Sequence, residues 1–233
     1  MFAHGAILAA LFHRSQGFGG QKIDVSLINC QVACLANLAS NFLIAGIDGK
    51  RLGTSHSSIV PYQAFETLEK DGYFLIGAGN DNQFKIICQI LDLSDLSDDP
   101  RFRDNAMGVA NRSILIPKLQ ERFKMKNSKS WSAIVKESGI PHGPVNSISE
   151  TFSHPQIIHN QLVKHLNHPK LGEVPVVGNP LKFSSFEPAY DIPPPMLGEH
   201  TEDVLQHYIG MDMDEISELE KLQIIQTAKN EVS

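Results

Sequence analysis

The chain begins in an apolar run that lacks the residues with which helices usually start. Small and apolar side chains fill almost every position from residue 2 to residue 12, which predicts a buried helix over residues 2–14. No Ser, Thr, Asp or Asn precedes this run to accept hydrogen bonds from the first free N–H groups. A second stretch, residues 28–45, is apolar on nearly all sides and predicts a helix buried from several directions. The first 46 residues therefore need other protein segments to pack against.

The composition is that of a folded protein without a basic surface. Of 233 residues, 42% are apolar and 20% are charged, and the formal net charge is −6. An acidic balance argues against a general binder of nucleic acid or of anionic membranes. The first apolar run is too short to span a bilayer and lacks the flanks of a signal or transit peptide. We therefore expect no nucleic-acid partner and no membrane partner.

The three cysteines, Cys30, Cys34 and Cys88, have neither the even number of a disulfide framework nor zinc-ligand spacing. Cys30 and Cys34 are four residues apart in an apolar segment, which favours two buried thiols on one helix face. These features predict a reducing compartment and no metal site.

The middle of the chain carries alternating signals of strands and helices. The segment KIDVSL, residues 22–27, predicts a short strand. Two strand-like segments, YQAFETL and YFLIGAG, flank Asp71 and Gly72, a pair typical of β-hairpin turns. Asn80 and Asp81 then stand before apolar residues at helical spacing, which predicts a capped helix.

The next elements are predicted to be mainly helical. A helix at about 113–126 contains Pro117, which should kink it or delay its start, and Ser128 is expected to cap a helix over 128–138. The following segment, IPHGPV, has too many prolines and glycines for a regular element.

The last third is predicted to begin with two short helices at about 147–161, followed by a β-hairpin that turns at Pro169–Gly172. The segment PAYDIPPPMLGEH predicts an extended linker, and helices are expected from residue 200 and over about 212–228. The predicted organisation has five parts: a remnant of a large α/β domain at 1–46, a linker or lid loop at 47–60, a small α+β domain at 61–186, a Pro-rich linker at 187–197, and helices that return to the large domain at 198–233.

Seven segments, taken in order, resemble one enzyme family. They are GAILAALFHRSQGFGGQKIDVSL, RLGTSHSSIVPYQAFET, DGYFLIGAGNDNQF, DPRFRDN, GIPHGPVNSI, HPQIIHNQLV and PPPMLGEHTEDVL. Together they resemble the class III CoA-transferases, which include formyl-CoA and carnitine CoA-transferases and α-methylacyl-CoA racemases. The run from HSSIVPYQAF to GAGNDNQF is most similar to the succinate–hydroxymethylglutarate (glutarate) CoA-transferase branch.

The resemblance implies a fold and a chemistry. It implies an α/β fold, with a discontinuous, doubly wound large domain, present here in part, and a smaller inserted α+β domain. Two chains of such proteins interlock as a homodimer. An Asp attacks an acyl-CoA such as succinyl-CoA, forms a mixed anhydride and then an aspartyl-CoA thioester, and passes CoA to an incoming carboxylate. Coenzyme A is thus a substrate and no permanent cofactor is implied. Relatives of the glutarate type work in mitochondria, which makes that organelle an expectation for this protein.

The resemblance places the nucleophilic Asp before Met1, so no catalytic residue is expected in this chain. The chain is accordingly expected to be N-terminally incomplete and inactive by itself. It retains the segment that matches the family's mobile loop over the intermediate. That loop is composed of Gly53, Thr54, Ser55, His56, Ser57 and Ser58.

The loop has two interpretations on the sequence alone. Small residues allow backbone N–H groups to approach a thioester oxygen and allow a lid to move, but an ordinary polar linker has the same composition. Only Gly53 is a glycine, which leaves the role of the N–H groups open. His56 could donate a hydrogen bond to a dicarboxylate substrate or could be solvated.

Other motifs have simpler explanations. GFGGQ precedes a predicted strand rather than a helix and favours a turn over a phosphate loop. GAGN and LGEHT favour helix starts, and the histidine pairs His154/His159 and His165/His168 favour surface or capping roles over metal binding.

Two alternatives to the transferase remain open. The chain could be a complete, non-catalytic remnant or a partner subunit of a full-length enzyme. It could also belong to a racemase or isomerase of the same family, whose acid–base residues would also precede Met1.

Overall fold

The computed structural model describes residues 1–188 and 192–228. The chain divides into two compact units, Met1–Val145 and Asn146–Ser233. Each unit combines helices with an antiparallel sheet, and the whole is a partial α/β fold.

The first unit opens with three helices that bury none of their residues: α1 (Phe2–Ser15), α2 (Leu27–Ala33) and α3 (Asn37–Ala45). Met1 is the N-cap of α1 and makes no side-chain capping bond, as the sequence predicts. The predicted burial of these helices is wrong, because apolar side chains such as Phe12 (69% exposed) are exposed to solvent. The expected burial of Cys30 and Cys34 is also wrong, since one is half-buried and the other exposed. The described residues supply no second layer against α1–α3.

Two further predictions for this region are corrected by the structure. The continuous helix over 28–45 is broken, since Ala36 has a φ of +43° between α2 and α3. Residues 22–26 form no strand, and α2 already begins at Leu27. A strand needs a neighbour for its N–H and C=O groups, and no described segment pairs with this one.

The sheet of the first unit forms around the predicted hairpin. Strands β1 (Tyr62–Glu66) and β2 (Tyr73–Gly77) pair antiparallel, with Phe65 opposite Phe74. Asp71 in the turn has a φ of +59°. Strand β3 (His142–Pro144) adds to β2, so the prediction that IPHGPV forms no element is wrong. A proline is tolerated there because β3 is the edge strand of this sheet.

Five helices follow or flank this sheet: α4 (Asp81–Ile90), α5 (Asp95–Asp98), α6 (Asn105–Ala110), α7 (Arg112–Phe123) and α8 (Ser128–Val135). As predicted, Asn80 caps α4, by accepting a hydrogen bond from the Gln83 N–H at 2.9 Å. The helix α7 runs through Pro117, which does not delay its start. The cap of α8 is Asn127 rather than Ser128, because the Asn127 side chain accepts from the Ser130 N–H.

Aromatic rings form the centre of the first unit. The Phe123 ring stacks on Phe65 with centroids 4.5 Å apart and meets Trp131 edge-on at 5.2 Å. The Trp131 indole N–H donates to the Phe123 carbonyl at 2.8 Å, so this buried polar group is satisfied. Other fully buried members of this core include Phe74, Ile76, Ile87, Leu115, Leu119 and Val135.

The second unit contains short elements: α9 (Ile148–Ser153), α10 (Pro155–His159), β4 (Val163–His168), β5 (Gly172–Val177), α11 (Thr201–Val204), a π-helical turn (Leu205–Ile209) and α12 (Met213–Lys221). The two short helices and the hairpin with its turn at Pro169–Gly172 confirm the predictions. Residues 189–191 of the predicted Pro-rich linker lie outside the described residues.

Within the described residues, no single helix has the length and hydropathy needed to cross a membrane. By length and composition alone, α2 and α3 would together suffice, with a bend of 78° between them.

Candidate functional site

The first half of the predicted loop lies alongside β1. The Thr54 hydroxyl accepts a hydrogen bond from the Ala64 N–H at 3.1 Å, and the Ser55 hydroxyl donates to Gln63 Oε1 at 2.8 Å. The backbone N–H of His56 donates to the Tyr62 carbonyl at 2.9 Å. The loop enters this arrangement at Gly53, whose φ of +61° suits a residue without a side chain. The loop thus has a defined conformation against the sheet.

His56 is held by its ring as well as by its backbone. Its Nδ1 accepts a hydrogen bond from the Ser58 N–H at 3.2 Å, and its ring stacks on Tyr62 with centroids 5.4 Å apart. A backbone N–H can only donate, so Nδ1 must be unprotonated and the proton of the neutral ring is on Nε2. No hydrogen bond involves Nε2 among the described residues. The loop therefore carries an oriented, unused N–H donor.

Two residues that sequence reasoning missed bind the second half of the loop. A single nitrogen of Arg112, Nη2, donates to the carbonyls of His56 at 2.7 Å, Ser57 at 3.2 Å and Ile59 at 3.4 Å. Asn105 donates from Nδ2 to the Ser58 carbonyl at 2.8 Å, and its Oδ1 accepts from the Val60 N–H at 3.1 Å.

Asn105 is itself fixed by its neighbours. Its backbone N–H donates to Asp81 Oδ1 at 2.9 Å, and Asp104 caps α6 by accepting from the Met107 N–H at 2.8 Å. The hydrogen bond from Met107 lowers the pKa of Asp104, so this cap remains charged at neutral pH. The space between Val60, Asn105 and their neighbours is only about 10 Å³, which holds no substrate.

A sequence signal existed for only one of the two missed residues. Asn105 ends the segment DPRFRDN, which carries part of the family resemblance, whereas Arg112 stands in a turn-rich stretch without a motif. Arg112 is 53 to 56 residues from the carbonyls that it binds, so only folding brings them together.

The other sequence candidates have structural roles. In GAGN, the Gly79 N–H donates to Gln83 Oε1 at 2.8 Å, which confirms a helix start whose donors are used internally. In LGEHT, α11 begins at Thr201. After GFGGQ the chain continues without the predicted strand.

Three of these histidines have local partners, and the thiol of Cys88 is buried. His154 caps α10 by accepting from the Gln156 N–H, and His165 contacts Glu173 at 2.9 Å across the hairpin. The Nδ1 of His168 accepts from two N–H groups of the hairpin turn. Burial raises the pKa of Cys88 to about 12, so this thiol is no nucleophile. Across 1–188 and 192–228, no three His, Cys, Asp or Glu side chains group as a metal site would require.

Comparisons with known proteins agree on one family. The model of CoA-transferase family III matches residues 1–201. The chain is 44% identical over 219 residues to succinyl-CoA:glutarate CoA-transferase from Mus musculus and 42% identical to that from Homo sapiens, covering 94% of this chain and 50% of each relative. It is 34% identical over 205 residues to succinate–glutarate CoA-transferase from Agrobacterium fabrum. The chain thus spans about half the length of the curated relatives it matches.

Solved structures show the same fold. A CAIB/BAIF family protein from Brucella suis is 35% identical, with a TM-score of 0.72 over 85% of this chain and 51% of that one. The protein Rv3272 from Mycobacterium tuberculosis, at 23% identity and a TM-score of 0.70, supports the fold alone.

Proposed function

Because the chain belongs to CoA-transferase family III, we propose that the protein transfers coenzyme A from an acyl-CoA to a dicarboxylic acid. The observation that carries this proposal is the similarity over 219 residues to two enzymes named for succinyl-CoA and glutarate. A third relative is also named for succinate and glutarate. Succinyl-CoA as donor and glutarate as acceptor are therefore the first pair to test.

The proposed chemistry is covalent catalysis by a carboxylate. The family's Asp attacks the thioester carbonyl, the C–S bond breaks, and CoA leaves as a thiolate while the acyl group stays on the Asp as a mixed anhydride. The thiolate then attacks the aspartyl carbonyl, which releases the donor acid and leaves an aspartyl-CoA thioester. The acceptor carboxylate reverses these steps and departs as the new acyl-CoA. We expect the nucleophile to lie outside these 233 residues. This chain would then contribute residues around the active site but not the reacting carboxylate.

The loop Gly53–Ser58 is the part of this chain that we assign to the substrate. The support for this assignment is the free Nε2–H of His56. A neutral imidazole N–H can donate to a carboxylate, and only the charge of the carboxylate then has to be taken out of water. A glutarate molecule has one carboxylate to react and another to be recognised. We assign the recognised carboxylate to His56. Closure of the loop as a lid, an interlocked homodimer and a mitochondrial location remain predictions.

The test of the function uses a hybrid enzyme, in which the first half of the mouse relative is joined to this chain. We expect the hybrid to convert succinyl-CoA and glutarate to glutaryl-CoA, and hydroxylamine to trap an enzyme-bound acyl species. The 233-residue chain alone should show no turnover. A folded hybrid that transfers CoA to no dicarboxylic acid would contradict the proposal, and epimerisation of a 2-methylacyl-CoA instead would favour the racemase alternative.

In the hybrid, His56→Ala is expected to raise the KM for glutarate about tenfold, the loss that corresponds to one hydrogen bond to a charged group. The KM for butyrate, which has no second carboxylate, should change little. His165→Ala is the matched control, because His165 pairs with Glu173 on a hairpin of the second unit. Equal KM values for glutarate in the parent hybrid and His56→Ala would exclude the assigned role.

A further inference from the structure

Four successive carbonyls, those of the last three loop residues and of Ile59 directly after them, accept hydrogen bonds from the same two side chains. Arg112 binds the carbonyls of His56, Ser57 and Ile59, and Asn105 binds the carbonyl of Ser58 between them. A polar linker on a protein surface usually gives such carbonyls to water. Here they are bound by side chains of α6 and α7 instead.

Arg112 contributes its charge to the loop alone. No salt bridge pairs it with a carboxylate in the part of the chain that the structure describes. A hydrogen bond from a charged donor is stronger than one from a neutral donor, so the guanidinium is a firm anchor for the His56 carbonyl. Asn105 adds a contact in each direction, since it donates to Ser58 and accepts from Val60.

These contacts hold both the backbone and the imidazole ring of His56. Its N–H is bound by the Tyr62 carbonyl, its own carbonyl by Arg112, and its Nδ1 by the Ser58 N–H. The Ser58 N–H keeps its place only while the loop around it is held. A substitution of Arg112 would therefore alter the position of the His56 Nε2–H, although Arg112 itself contacts no substrate.

We propose that Arg112 and Asn105 are positioning residues, which hold the loop so that the His56 Nε2–H meets the acceptor carboxylate. The enzymatic part of this proposal rests on the proposed function. The hydrogen bonds from Arg112 and Asn105 to the loop, here called the clamp, are a property of the chain itself. The two parts are tested separately.

The clamp is tested by hydrogen exchange on the 233-residue chain. In Arg112→Gln, we expect the amides of His56 and Ser58 to exchange about tenfold faster, because the loop opens more often. Arg112→Lys keeps a positive donor and should restore part of the protection. Arg122→Gln is the matched control, since Arg122 also lies on α7 and donates to a backbone carbonyl, that of Asp92.

A second variant covers the case in which Arg112→Gln does not fold. Asn105→Asp keeps the oxygen that accepts from Val60 but removes the donor to the Ser58 carbonyl. It should speed exchange at Ser58 with little change at Val60. Wild-type exchange at His56 and Ser58 in folded Arg112→Gln would overturn the clamp.

The positioning role is tested in the hybrid enzyme. Arg112→Gln should raise the KM for glutarate about tenfold, leave the KM for butyrate nearly unchanged, and be partly rescued by Arg112→Lys. Faster exchange with an unchanged KM for glutarate would overturn the positioning role while the proposed function stands. A parent hybrid without transferase activity would instead refute the proposed function, and the exchange result would still decide on the clamp.

Discussion

Phe123→Ala is expected to lower the free energy of unfolding of the unit Met1–Val145 by about 3–5 kcal/mol, the usual cost of removing a buried phenylalanine. Phe123 is fully buried and its ring contacts Phe65, Phe74 and Trp131. Alanine would leave a cavity between the sheet and α8 that the surrounding rings cannot fill. Urea unfolding followed by Trp131 fluorescence measures the change, because this is the only tryptophan of the sequence.

The matched control is Phe183→Ala, because Phe183 also belongs to a stacked pair, with Phe186 at 4.3 Å. Phe183 is 45% exposed and lies in the other unit. The urea unfolding curve followed by Trp131 fluorescence should therefore be the same as that of the wild type. A loss below about 1 kcal/mol in Phe123→Ala, well under the range for buried aromatic residues, would show that the core is not packed as described.

Glu69→Gln is expected to remove about 1–2 kcal/mol of stability at pH 7, because a charged acceptor is lost at a helix start. Glu69 Oε1 accepts from the Ser128 N–H at 2.9 Å, the first residue of α8. Burial alone would raise the pKa of Glu69, but hydrogen bonds from Ser128 prevail and lower it from 4.5 to about 2.

The pH dependence follows from the direction of this shift. A carboxyl whose pKa is lower in the folded state stabilises the fold fully above its unfolded pKa of 4.5, and this stabilisation is lost as the pH falls towards 2. The difference between wild type and Glu69→Gln should therefore shrink over that range in acid unfolding curves. Glu66→Gln is the control, because Glu66 pairs with Lys124 at the surface and should cost less than about 1 kcal/mol. A gap between wild type and Glu69→Gln that stays constant from pH 7 to 2 would contradict the assignment.

Local chemistry was enough to predict the elements whose signals lie within a few residues. The Asp71–Gly72 turn between two alternating segments predicts the β1–β2 hairpin, and the side chain of Asn80 marks the start of α4. The same holds for the hairpin of the second unit, with Gly172 at a φ of +73° in its turn.

Several predictions that depended on a distant partner went wrong. Strand β3 forms from a Pro- and Gly-rich segment because it can pair with the free edge of β2. Residues 22–26 form no strand because no segment that the structure describes pairs with them. The apolar helices α1–α3 were predicted to be buried, yet burial depends on a layer that the described residues do not supply.

The same distinction between local and distant signals applies to the candidate site. The loop Gly53–Ser58 could be selected from the sequence, because its small polar residues follow one another and resemble a family segment, and its role in the site stays a prediction. The hydrogen bonds of His56 and the roles of Arg112 and Asn105 could not be predicted, because they depend on residues that only folding brings near.

The sequence by itself thus determined the family, the local turns and caps, and which loop to inspect, since these depend on residue types at short spacing. Only the tertiary structure decided which side chains hold that loop. A guanidinium can bind any carbonyl within its reach, and the choice of His56, Ser57 and Ile59 follows from where α7 packs against β1.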